Sequence, residues 1–165
     1  VPKPLQQPGP PLHIAANSPS TAEFAGQRGL RLLMAAPIHP WPDNFLTHLA
    51  LYRDSAAKHA SKNTYVSGLF FAFTALDRVA VRMQMADSFA RHPIGQNTSY
   101  ETAEEKMAIF GNPQECIDRI AEIQQRAKLD CLICSFNPGG TVLHEQVKVA
   151  IQRFAEEVMP SIQEL

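Results

Sequence analysis

The sequence predicts an α/β protein whose strands form a parallel sheet covered by helices. Two observations carry this. Strand-like and helix-like segments alternate four times along the 165 residues, and the strand segments are apolar on both faces. Continuous apolar strands belong to sheets buried on both sides, the arrangement that parallel strands adopt when helices cross between them. A small doubly wound sheet and one half of an eight-stranded barrel both satisfy this order.

The elements follow in turn. VPKPLQQPGPP places five of the thirteen prolines before Leu12. Proline removes a donor and fixes φ, so residues 1–11 read as an extended connector to a folded unit over residues 12–165. The first residue is Val and not Met, from which we expect either a removed segment or a start inside a longer protein. LHIAA (12–16) reads as a strand. SPSTAEFAGQRGL then offers Ser18 as N-cap, Pro19 at the first helical position and a small-residue face at Ala22, Ala25 and Gly26.

LRLLMAA (30–36) is the second strand, and PIHPWPDNF is a proline-punctuated loop before a helix over about 45–60. TYVSGLFFAF (64–73), rich in β-branched and aromatic residues, is the clearest strand. A helical pattern over 75–91 stops at His92-Pro93, and a polar loop (95–99) leads to a short helix over about 100–110. Asn112, Pro113 and Glu115 form the start signature of the next helix, with a capping box. LDCLICSF is the fourth strand. The last helix, over about 142–158, carries an apolar stripe at Leu143, Val147, Ile151, Phe154 and Val158 and should lie outside the sheet.

Composition removes several classes of function. Fifteen Lys and Arg against sixteen Asp and Glu give a net charge of -1, with no basic footprint for nucleic acid and no polybasic membrane patch. No apolar run approaches the roughly 18 to 20 residues that cross a bilayer. Three cysteines have the wrong number for a disulfide framework and suit a reducing, cytoplasmic setting.

The strongest chemical feature is AANSPST (15–21), which sets Asn17, Ser18 and Thr21 where a strand end meets a helix N-terminus. Backbone N–H groups, hydroxyls and the positive helix end suit a phosphate there, while a plain N-cap explains the same residues. FNPGGT (136–141) sits between a strand and a helix, so Gly139 and Gly140 read either as a tight turn or as a backbone approached by a ligand. Cys131 and Cys134 lie within a strand, three apart, and point to opposite faces as buried thiols. The six histidines are scattered; His39, after a strand end, is the least ordinary, with Trp41 and Phe45 as core or pocket-wall residues beside it.

Together GNPQECIDRI, LDCLICSFNPGGT and FAEEVMPSI resemble the C-terminal end of the luciferase-like monooxygenases, the flavin-dependent family that includes bacterial luciferase. PKPLQQPGPPLHIAANSPSTAEFAGQRGL is similar to that family's segment around the fifth barrel strand. The resemblance implies the C-terminal half of a (β/α)8 TIM barrel, strands five to eight with their helices. It implies reduced FMN, or a deazaflavin in some branches, bound at the strand C-termini, with Asn17, Ser18 and Thr21 on the flavin phosphate and Gly139 and Gly140 at the rim of the site.

The implied activity is a monooxygenase that uses molecular oxygen to oxidise a small organic substrate such as an aldehyde or alkane. A flavin reductase would supply the reduced flavin, and the complete protein would be a homo- or heterodimer. A flavin- or deazaflavin-dependent dehydrogenase, or a non-catalytic flavin-binding subunit, are the alternatives within the same resemblance. The family's catalytic His and its phosphate-pairing Arg groups belong to strands one to four, so no catalytic role transfers to a residue of this chain, and the 165 residues alone are expected to be inactive.

Overall fold

The computed structural model describes residues 3–61 and 64–162. The expectation attached to Val1 lies outside these residues. Residues 3–12 form no helix or strand and are exposed.

The first strand-turn-helix unit is β1 (His13–Ala15) and α1 (Pro19–Arg28). It is followed by β2 (Arg31–Ala35) and α2 (Asp43–Lys58). Gly29 ends α1 in the left-handed region at φ 61°, where a side chain would be strained, and the chain re-enters the sheet within two residues. Next come β3 (Val66–Thr74) and α3 (Arg78–Arg91), whose cap is Asp77 accepting from the Ala80 N–H. A 3-10 turn (Pro93–Gln96) and α4 (Tyr100–Lys106) then lead to β4 (Ala108–Gly111) and α5 (Pro113–Ala127). The expected capping box of α5 is present between Asn112 and Glu115. The chain closes with β5 (Cys131–Ser135), α6 (His144–Arg153), a π-helical turn (Phe154–Val158) and α7 (Met159–Ile162).

All strand pairs are parallel. Leu69 is partnered by Ala35 of β2 and by Ile133 of β5, so β2 and β5 lie on opposite edges of β3. Phe71 is partnered by Ser135 of β5 and by Ala108 of β4, so β4 shares an edge with β2 and continues above its end. The through-order β1, β2, β3, β5 follows the chain with no reversal. A doubly wound sheet reverses its strand order at a switch point, whereas a barrel wall does not. The architecture is therefore a partial barrel, with β1 and β5 as its edges.

Residues alternate between faces. On the outer face Leu32, Met34, Val66, Phe70 and Ala72 pack under the small face of α1 (Ala22, Ala25), Phe45, Leu49 and Tyr52 of α2, and Ile120 and Ile123 of α5. On the other face, at the C-terminal end of β3, Phe71 and Phe73 are covered by Val81, Met85 and Phe89 of α3 and by Tyr100 and Ala103 of α4. Leu33, Ala35, Leu69 and Ile133, on that same face, stay half-buried.

Two expectations need correction. Residues 100–110 are not one helix: the helix ends at Lys106 and β4 begins at Ala108. Beyond Leu69, β3 outruns β2, and its backbone groups need partners; the Phe71 N–H donates to the Met107 carbonyl and the Ala75 N–H to that of Gly111. The stripe drawn for the last helix is buried only in its C-terminal part. Leu143 and Ile151 are exposed, while Ala150, Phe154 and Val158 are buried. Phe154 and Val158, four residues apart, bound the π turn and both face the core.

Phe70 is fully buried, 5.6 Å from the Phe45 ring and 6.2 Å from that of Trp41. Phe70→Ala is expected to lower the unfolding free energy by about 3–5 kcal/mol in urea titration. Met83→Ala, at an exposed position of α3, should change it by no more than about 0.5 kcal/mol.

Candidate functional site

Because the strands are parallel, their C-terminal ends share one rim. The turn after β1, the loop after β2 and the loop after β5 all open there. Ser18 caps α1 with φ -151° and ψ 158°, and its Oγ accepts from the Thr21 N–H at 3.2 Å. The same oxygen lies 2.9 Å from Thr21 Oγ1 and 3.0 Å from Ser20 Oγ, so three hydroxyls share one helix end. Pro19 has no N–H to satisfy, and the first turn carries no acidic side chain. Among the described residues the Ser20 N–H takes no protein acceptor. Asn17 is exposed at the lip of this turn.

The donor set suits an oxyanion: hydroxyls that rotate to donate, a backbone N–H and the positive end of a helix, with no carboxylate to repel it. Ser20 is a member the sequence reading passed over. Its signal was present in SPST, but only the folded turn brings its hydroxyl onto that of Ser18.

The loop after β2 supports this turn from behind. His39 is 4 % exposed, and its Nε2 donates to the Ala16 carbonyl at 2.7 Å. Its ring meets that of His48 from α2, centroids 4.1 Å apart. Burial lowers the His39 pKa from the ordinary imidazole value, the Ala16 hydrogen bond opposes that shift and His48 adds to it. Trp41 and Phe45 are core residues; their rings pack edge to face at 5.7 Å, and Trp41 Nε1 donates to Glu122.

Gly139 and Gly140 stand after β5, at the opposite edge of the sheet from Asn17, Ser18 and Thr21, so the partial barrel does not bring the two groups together. The glycines differ. A side chain at Gly139 would overlap the Ser88 carbonyl oxygen of α3, and its N–H donates to Ser88 Oγ at 3.2 Å. Asn137 braces the loop: its Oδ1 accepts from the Val142 N–H and from Ser88 Oγ, and its Nδ2 donates to the Val142 carbonyl. Gly140 adopts φ 72° in open space.

Cys131 and Cys134 sit on β5 beside Ser67 and Phe70 of β3. Burial pushes the Cys134 thiol up to about 12 and that of Cys116, in α5, to about 11. Thiols this weakly acidic are poor nucleophiles. Among the described residues no group of three or more His, Cys, Asp or Glu is placed to hold a metal ion, and no helix is long and apolar enough to cross a membrane.

The fold is a partial (β/α)8 barrel with a cluster of three hydroxyls at a helix N-terminus on its rim. The chain is 23 % identical, over 99 % of its length, to the oxygenase component of a flavin-dependent trigonelline monooxygenase of Acinetobacter baylyi, of which it covers 52 %. It is 20 % identical to the alkanal monooxygenase alpha chain of Photorhabdus luminescens, again over 99 % of this chain and 54 % of that one. It superposes on the monooxygenase RslO1 of Streptomyces bottropensis with a TM-score of 0.77 at 24 % identity, covering 97 % of this chain and 50 % of that one. An F420-dependent secondary alcohol dehydrogenase, in complex with an F420–acetone adduct, shares the fold at a TM-score of 0.70 and 15 % identity, over 92 % and 48 % of the two chains. No family model matches. In sequence and in fold the chain resembles the luciferase-like monooxygenases, and it spans about half the length of the curated relatives it matches.

Gly139→Ala should destabilise the protein by about 1–3 kcal/mol, since the loop must lift from α3. Gly140→Ala should cost no more than about 1–2 kcal/mol, the strain of a left-handed residue alone. Thermal unfolding of the two variants side by side checks the order.

Proposed function

We propose that this chain is the C-terminal half of a flavin-dependent oxidoreductase, and that the complete protein is a monooxygenase taking reduced FMN and molecular oxygen. The observation that carries the reading is the cluster of Ser18, Ser20 and Thr21 hydroxyls at the N-terminus of α1, at the strand end where a barrel places its ligands. The relatives named as a flavin-dependent monooxygenase and an alkanal monooxygenase support the same class. The name alkanal monooxygenase supports a small organic substrate such as an aldehyde, with an alkane as a variant, and the name oxygenase component supports a second component, which we take to be a flavin reductase that supplies the reduced cofactor.

Bound reduced FMN supplies the electrons with which oxygen is activated. The residues of this chain bind and orient. Ser18 and Thr21, with Ser20 between them, donate hydroxyl hydrogens to the terminal phosphate, the Ser20 N–H adds a backbone donor, and Asn17 closes the lip of the turn. Gly139 and Gly140 contribute backbone at the far side of the rim. The apolar face of Leu33, Leu69 and Ile133 lines the interior and keeps water from it once the other barrel half covers it. The groups that move protons come from that other half, and the complete protein works as a cytoplasmic homo- or heterodimer.

A dehydrogenase or reductase using flavin or a deazaflavin is the second reading, favoured by the similarity in fold to an F420-dependent alcohol dehydrogenase. Product analysis under isotopically labelled oxygen separates the two: label in the product supports the monooxygenase, and unlabelled product formed without oxygen supports the dehydrogenase. In the full-length gene product, Ser18→Ala combined with Thr21→Ala is expected to weaken FMN binding by about 1–3 kcal/mol in fluorescence titration. Unchanged affinity would return Ser18 to the role of a plain cap.

A further inference from the structure

The turn that carries Ser18 is held by a group outside it. In the parallel ladder between β1 and β2, Arg31 N–H donates to the Leu12 carbonyl and Ala16 N–H to the Leu33 carbonyl. The next rung would take the Ala16 carbonyl to a backbone N–H further along β2. That rung is replaced. The chain after β2 turns back on itself, with the N–H groups of Ile38 and His39 both donating to the Ala35 carbonyl, and the His39 imidazole reaches across to the Ala16 oxygen.

A side chain thus takes the place of a backbone donor at the last peptide of β1. The substitution lets β1 stop at Ala15 while the peptide that leads into Asn17 and Ser18 stays fixed on both sides. Ala16 is 1 % exposed, so its carbonyl has no water to fall back on, and a buried carbonyl without a donor is costly. The imidazole cannot swing away, because His48 packs against its other side; the His48 Nδ1 is itself engaged with the Asn44 carbonyl at 2.8 Å, which fixes that ring to α2. The chain of support runs from α2 through His48 and His39 to Ala16 and so to the cap.

We infer that His39 is a positioning residue for the phosphate-binding turn: by holding the Ala16 carbonyl it sets the angle at which the Ser18, Ser20 and Thr21 hydroxyls face an incoming phosphate. The inference rests on the phosphate reading of that turn. The donation to Ala16 requires hydrogen on Nε2, so the neutral ring must be the Nε2–H tautomer.

The test compares FMN with riboflavin, which lacks the phosphate, in the full-length gene product. His39→Leu removes the donor and His39→Gln restores an N–H at the same reach. A merely structural role would weaken FMN and riboflavin together. The expected result is that His39→Leu lowers the FMN-to-riboflavin affinity ratio at least five-fold and that His39→Gln returns it to within two-fold of the wild type. A ratio unchanged in His39→Leu, in a protein that prefers FMN, overturns the positioning role and leaves the phosphate reading intact. A wild type with no preference for FMN overturns the phosphate reading and this inference with it. Should His39→Leu not fold, long-range proton–nitrogen spectra of the wild type decide: an Nε2–H signal for His39 that shifts on adding FMN but not riboflavin supports the role, and an Nδ1–H tautomer or no phosphate-dependent shift overturns it.

Discussion

Each residue of a strand offers one N–H and one carbonyl to a single edge, and its neighbours in sequence offer theirs to the other. For β3, nine residues long, that alternation is the constraint around which the molecule is built. One edge serves β2 along its first half and β4 along its second, and the other edge serves β5. Among the described residues no other strand carries three partners. The three-residue β1 and the half-buried β5 are stable only because they are attached, directly or through β2, to a strand whose residues are nearly all buried.

The rim inherits its geometry from the same constraint. Because every strand runs in one direction, the turns that follow the strands open on one side, and three places along that rim are pinned by different devices. The Ser18 turn is pinned through His39, the loop after β5 through Asn137 and Ser88, and β4 through the capping box that follows it. These devices join neighbouring layers of the fold. A ligand at the rim would therefore meet a surface whose parts are fixed to helices behind them, and binding would cost little in ordering the backbone.

What could be read from the chain divides by range. The Ser18 cap, the Pro19 start and the Asn112–Glu115 capping box were legible because each is settled within a single turn of helix. The four through-strands were legible from their apolar runs. β4 was not, because residues 108–111 become a strand only where β3 outruns β2, a length mismatch that no local pattern records. In the last helix Phe154 and Val158 are buried as their spacing placed them, while Leu143 and Ile151 of the same stripe are exposed, because spacing marks an apolar face but not how much of it the sheet covers. At the site, Asn17, Ser18 and Thr21 stood out by their place before a helix. The grouping of Ser20 with them, and the bond from His39 to a carbonyl 23 residues earlier, needed the tertiary structure.

The dependence on β3 reaches into how the molecule is made. During synthesis β3 leaves the ribosome after β2 and can pair with it along its first half at once, but the second half of that edge waits for residues 108–111, and the groups β3 turns toward β5 have no partner until residues near Ile133 have emerged. Until β4 emerges its most apolar stretch is unpaired on both edges beyond Leu69, and from then until β5 emerges it has one finished edge and one open edge. The α3–α4 excursion that covers Phe71 and Phe73 emerges in between, and so acts as a shield contributed by the chain itself before the sheet is complete.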